Sequence, residues 1–229
     1  MRSLDNPLIS LKRIGMIYDR KAVLSDINLD INQGDFLAIT GPNGGGKTTL
    51  LRILLKLLTP TAGSVDYRFP AIDNRPAIGY LPQKNSIDNR FPITVKEVIK
   101  LGLMSARHLS KPEKNNLVAE TLELMGLTDH ADHTIGEISG GQLQRTLFGR
   151  AFISHPQMMV LDEPLSYLDK HYEKKLYEII ETMKGDTTFV LVSHEMSTIA
   201  EIANRHIIID HSLHECSAAH HFARHACDD

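Results

Sequence analysis

Gly41-Pro42-Asn43-Gly44-Gly45-Gly46-Lys47-Thr48 reads G-x-x-x-x-G-K-T, the pattern of a phosphate-binding P-loop. Glycines let the backbone turn tightly and approach an anion with no Cβ in the way. Successive N–H groups can then converge on phosphate oxygens, and the helix that follows offers its positive end. Lys47 is placed to reach the β- and γ-phosphates, the Thr48 hydroxyl to ligate Mg²⁺, and Thr49 completes the phosphate-binding run. The flanks agree. Phe36-Leu37-Ala38-Ile39-Thr40 is a short apolar, β-prone run, and Leu50, Leu51, Ile53, Leu54, Leu57 and Leu58 follow at helical spacing.

Working outward, Leu8 to Ile17 and Ile27 to Ile31 read as strands before the P-loop, with Tyr18 between them. The P-loop helix stops near Thr59-Pro60-Thr61-Ala62-Gly63, and strands follow at 64–68 and 77–81, the second ending at Pro82-Gln83. From about Lys84 the pattern turns helical. Thr94 can cap one helix, and Lys111-Pro112-Glu113 starts another. Strand-type runs resume at 157–162 and 188–193 around a charged helix over 170–183, and 205–210 reads as the last strand. Alternating strands and helices with continuous apolar strands predict an α/β fold with a mainly parallel sheet. The expected organisation is a single domain over 1–229. Its core is 1–83 with 157–210, residues 84–156 form an inserted helical subdomain, and 211–229 form a His/Cys-rich tail.

The chain has 229 residues and a formal net charge of −3, so it carries no basic footprint for nucleic acid. Its apolar runs are of strand length, far short of the ~20 residues that span a bilayer. Met1 to Asn6 holds no signal-peptide core, and Cys216 and Cys227, the only cysteines, imply no disulfide framework. A cytoplasmic protein is expected.

Two further stretches carry chemistry. Met158 to Glu163 is an apolar run ending in Asp162-Glu163, a costly arrangement unless the charges meet a cation or a reacting group. Beside a P-loop, Asp162 suits Mg²⁺ and Glu163 suits a general base that polarises the attacking water. Ile138-Ser139-Gly140-Gly141-Gln142 precedes a helix and forms a second anion-friendly site, or simply a helix N-cap with a glycine turn.

Together these motifs resemble the ATP-hydrolysing subunit of an ABC transporter, over about residues 1–210 and in the family's order. GPNGGGKTT resembles Walker A, and MMVLDE resembles Walker B. ISGGQLQR resembles the LSGGQ signature with Ile138 for leucine, and Pro82-Gln83 resembles the Q-loop. Ser166-Tyr167-Leu168-Asp169 resembles the D-loop, with Tyr167 where alanine is commoner, and His194 resembles the switch histidine. The resemblance implies a RecA-like P-loop NTPase core, an antiparallel N-terminal β subdomain and an inserted helical subdomain. It implies that Tyr18 stacks on adenine and that Gln83 senses the metal and the attacking water. His194 would contact the γ-phosphate. Ser139, Gly140, Gly141, Gln142 and Asp169 would act on ATP held by a second copy, in a head-to-tail homodimer. The implied cofactors are ATP and Mg²⁺. The implied partners are an integral membrane permease, docked around 84–107, and indirectly a substrate-binding protein, with the chain at the cytoplasmic face of the membrane.

Gly79-Tyr80-Leu81-Pro82-Gln83, then Asp88, then Phe91-Pro92-Ile93-Thr94-Val95 resembles the zinc/manganese importer branch. The alternatives are the motor of an iron-siderophore or haem importer, and a soluble ABC ATPase that works as an assembly factor. Six of the twelve histidines fall in the last 24 residues. His211, His214, Cys216, His220, His221, His225 and Cys227 are ligand types that suit Zn²⁺, in a spacing that matches no finger. A metal-sensing tail and a disordered polar tail are both open readings.

Overall fold

The computed structural model describes residues 7–70, 77–83, 88, 90–193 and 202–216. Two compact units divide the chain: 1–69 with 188–229, and 70–187.

In the first unit, β1 (Ile9–Tyr18) pairs antiparallel with β2 (Lys21–Ile31) and β4 (Ala62–Tyr67), giving the order β2-β1-β4. Residues Asp19 and Arg20 take left-handed φ of 46° and 67°, so a two-residue turn closes β1 onto β2 and matches the twist of the strands. The second sheet is parallel at its centre. β3 (Phe36–Thr40) lies between β7 (Thr188–Val192) and β8 (Arg205–Asp210), with Leu37 opposite Val190 and Arg205. Strand β7 is buried throughout and β3 at all but its last residue, as their unbroken apolar sequences require, and the Phe36 and Phe189 rings meet at 5.2 Å. Helix α1 (Lys47–Leu54) follows the P-loop and stops earlier than its leucine spacing predicts, because Lys56 turns left-handed at φ 59°.

One strand was not expected. β9 (Ser212–Cys216) pairs antiparallel with β8, with His206 opposite Cys216 and Ile208 opposite His214. The expected tail at 211–229 is therefore folded up to 216. The ion pairs of Arg205 with Asp35 and Glu215 stitch this edge. Burial disfavours the Arg205 charge, but these two carboxylates outweigh it and raise its pKa.

In the second unit, β5 (Ile78–Leu81) runs parallel to β6 (Met158–Asp162). The helices are α2 (Val95–Leu101), α3 (Lys111–Leu124), α4 (Gly140–Phe152) and α5 (Lys170–Met183). α4 packs directly on β5. Arg150 donates to the Tyr80 carbonyl, and a Cβ at Gly79 would lie 2.4 Å from the Ala151 carbonyl oxygen. α5 buries Leu176, Ile179, Ile180 and Met183 along one stripe, each worth roughly 1.5–3 kcal/mol.

Candidate functional site: two helix starts and a carboxylate turn

The P-loop is fixed from behind. A Cβ at Gly41 would sit 2.1 Å from the Ile209 carbonyl oxygen, and one at Gly45 2.6 Å from the same atom. The His211 N–H donates to the Gly45 carbonyl at 2.9 Å, and the His211 carbonyl accepts from Ser25 at 2.7 Å. Its Nδ1 donates to the Val23 carbonyl at 3.2 Å. His211, expected as a ligand in a metal-binding tail, thus sits with φ 56° at the corner between β8 and β9 and braces the loop.

Gly46 caps α1 at φ 104° and, having no side chain, takes up none of the first-turn N–H groups itself. The Lys47 ammonium is drawn back onto the loop, donating to the carbonyls of Gly41 at 2.7 Å and Pro42 at 2.9 Å. Lys47 is buried, Thr48 exposed and Thr49 half-buried, while Pro42, Asn43 and Gly44 face solvent. An anion needs such a start, with backbone donors left over and a lysine at hand. Tyr18, at the end of β1, is 40% exposed.

In the second unit Asp162 ends β6 with 4% exposure. Glu163 and Tyr167 follow with left-handed φ of 56° and 69°, conformations that cost a non-glycine residue about 1–2 kcal/mol each. Ser139 caps α4 in a complete capping box: its hydroxyl accepts from the Gln142 N–H, and Gln142 Oε1 accepts from the Ser139 N–H at 2.7 Å. Gln142 Nε2 donates to His130 Nε2 at 2.7 Å. A Cβ on Gly141 would lie 2.9 Å from the Tyr167 carbonyl oxygen, so the start of α4 abuts the turn after Glu163. Asp169 caps α5, accepting from the Tyr172 N–H at 3.0 Å. Gln83 is exposed just beyond β5.

His194, His220, His221, His225 and Cys227 lie outside the described residues. Of the remaining tail residues, His214 Nε2 meets the Ser212 hydroxyl at 3.0 Å, and Cys216 is half-buried at the end of β9. Among the described residues no group of three or more His, Cys, Asp or Glu is arranged to hold a metal ion. His130, which touches the Gln142 amide, was missed from sequence, and Gln144, whose amide holds the turn at Glu163, stood inside the ISGGQLQR stretch without a role of its own. No helix is long and apolar enough to cross a membrane. An open groove of about 520 Å³ lies along α2, lined by Phe91, Pro92, Ile93, Leu101 and Met104 among others. Phe91 is 63% and Met104 74% exposed there.

A glycine-capped helix start with a buried lysine folded against its loop defines a P-loop nucleotide-binding protein. Comparison with known proteins narrows the class. Residues 24–166 match the ABC transporter family. The chain is 33% identical over 220 residues to the zinc import ATP-binding protein ZnuC of Pasteurella multocida, covering 95% of this chain and 78% of that protein. It is 36% identical over 214 residues to ZnuC of Haemophilus influenzae, covering 93% and 74% respectively. Its fold is similar to that of MJ0796, a bacterial ABC transporter cassette solved as a dimer, with a TM-score of 0.81 and 27% identity over 92% of this chain and 98% of that one. The chain belongs to the ABC transporter family, and it is an ATPase.

Proposed function

We propose that the chain is the ATP-hydrolysing motor of an importer for a divalent transition metal, zinc or manganese. The observation that carries the motor reading is the uncapped start of α1, with Lys47 held on the carbonyls of Gly41 and Pro42. A triphosphate can recruit that ammonium from the two carbonyls and take up the first-turn N–H groups. Gly41 to Thr49 bind the phosphates, and Tyr18 stacks on the base. The donor chemistry of Thr48 and Asp162, a hydroxyl and a carboxylate, fits Mg²⁺, with Gln83 as a further oxygen ligand. When bound, that ion neutralises charge on the phosphates. Glu163 polarises the attacking water, and Gln83 and His194 orient it.

Two copies work head to tail, with Ser139, Gly140, Gly141, Gln142 and Asp169 of one facing the nucleotide of the other. The dimeric relative supports this reading. The groove along α2 supports docking to an integral membrane permease, because exposed Phe91, Leu101 and Met104 offer an apolar seat. The chain then lies at the cytoplasmic face, indirectly served by a substrate-binding protein. The identity of the cargo is supported by the two zinc import relatives.

The test is metal uptake by cells that carry the chain with its permease, using wild type and Glu163→Gln. Uptake of zinc or manganese that Glu163→Gln abolishes supports the reading, and ATP hydrolysis without metal uptake sinks the cargo assignment. The tail is tested separately. We propose that His214, Cys216, His220, His221, His225 and Cys227 sense cytoplasmic metal. Removal of 217–229, which spares β9, should abolish zinc sensitivity of the ATPase, and unchanged sensitivity overturns the idea.

A further inference from the structure

Gln144 is 1% exposed, in the first half of α4. It lies on the helix face that buries Leu147, Phe148 and Ala151, where an apolar side chain is the ordinary choice. Both N–H groups of its amide are used: Nε2 lies 3.1 Å from the Glu163 carbonyl oxygen and 3.1 Å from that of Pro164. Its Oε1 is buried with no hydrogen-bond partner among the described residues, which costs stability. A buried glutamine that leaves its own oxygen unsatisfied to hold two carbonyls serves the turn it holds. That turn contains Glu163 at φ 56° and, four residues on, Tyr167 at φ 69°, against whose carbonyl Gly141 packs.

We propose that Gln144 is a positioning residue for ATP hydrolysis: its amide fixes the left-handed turn that aims the Glu163 carboxylate, and ties that turn to the helix whose start carries Ser139 and Gly141. The proposal rests on the reading of Glu163 as general base. The amide is a polar link from α4 to the carboxylate turn, so a displacement of α4 by a partner's nucleotide reaches this subunit's own Glu163 through it.

The test is steady-state ATP hydrolysis by the purified full chain carrying Gln144→Met, alongside Glu163→Gln and Glu163→Ala. Methionine keeps the length and volume of glutamine and removes its donors. A small adjoining cavity of about 20 Å³, lined by Phe148, Leu168 and Leu176, leaves room for the sulfur. The expected result is a kcat lower by about 10- to 100-fold with KM for ATP within about twofold, because misorientation of a catalytic group acts on the chemical step. In the Glu163→Ala background, Gln144→Met should lower the residual rate no further. A folded Gln144→Met protein with wild-type kcat, or one whose loss adds in full to that of Glu163→Ala, overturns the proposal. Should Gln144→Met melt below the assay temperature, Gln144→Leu with the rate normalised to the folded fraction gives the same decision. A wild type that hydrolyses no ATP, or an active Glu163→Gln, would fault the motor reading itself rather than the role of Gln144.

Discussion

Two helices in this protein begin at glycine-rich motifs, and they treat their first turns oppositely. α1 starts at Gly46 with no side-chain cap. α4 starts at Ser139 inside a complete capping box, with Gln142 returning the hydrogen bond. A helix start holds several orphan N–H donors, and a side chain that satisfies one withdraws it from any ligand. α1 therefore keeps its donors for an anion and relies on outside support for rigidity, from β2 and from the corner at His211. α4 satisfies donors itself, is rigid without a ligand, and presents a hydroxyl and a glycine. Under the proposed function, one start holds a phosphate and the other closes over one.

The largest effect expected from this contrast is at Lys47. Lys47→Ala should lower ATP hydrolysis by roughly 10³-fold, the scale for loss of a group that stabilises transition-state charge. A steady-state phosphate-release assay checks it, and near-normal turnover would remove α1 from the role of phosphate cradle. Next is an attempt to make α1 resemble α4. Gly46→Ser would offer a cap, but its Cβ would lie 2.6 Å from Leu24 Cδ2 at φ 104°. The fold should lose about 1–3 kcal/mol and nucleotide binding should weaken, measured by denaturant unfolding and ATP titration. The converse change, Ser139→Ala, removes a cap worth about 1 kcal/mol. It should lower the melting temperature slightly, leave ATP binding to the monomer intact, and weaken ATP-dependent dimer formation in light scattering.

What sequence could reveal follows the same division. The P-loop, β3 and β7 are local: glycines, a lysine and unbroken apolar runs specify them without help from distant residues. The caps of α2 and α4 were equally readable from Thr94 and Ser139, and the start of α3 from Lys111-Pro112-Glu113. β9 was not, because Ser212-Leu213-His214-Glu215-Cys216 holds one large apolar residue, and its strand state comes from pairing with β8 and the Arg205–Glu215 ion pair. The histidines there suggested ligands by composition, whereas His211 acts mainly through its backbone. Gln144 stood inside the ISGGQLQR stretch, but only its place as a polar residue on an apolar helical stripe hinted at a role of its own. The left-handed backbone at Glu163 left no signal, since a glutamate is not a residue that announces positive φ.

The smallest expected effect separates the capped helices by the chemistry of their caps. The boxes of α2 and α3 are closed by carboxylates. A hydrogen bond from the Thr94 N–H lowers the pKa of Glu97, and one from Ser110 lowers that of Glu113, each from an ordinary value of 4.5. A pKa lowered by folding means that the folded state prefers the charged form. The stabilisation is then complete above pH 4.5 and lost as pH falls through the folded-state value. The box of α4 is closed by the Gln142 amide oxygen, which does not titrate. Acidification below pH 4.5 should therefore fray the starts of α2 and α3 before that of α4. Amide exchange measured on the N–H groups of Glu97, Glu113 and Gln142 reads this directly, with protection falling at the first two and persisting at the third. Equal loss at all three would mean that the start of α4 is held by the surrounding packing and not by its own cap, which would remove the distinction between a helix start that must wait for a ligand and one that is already complete.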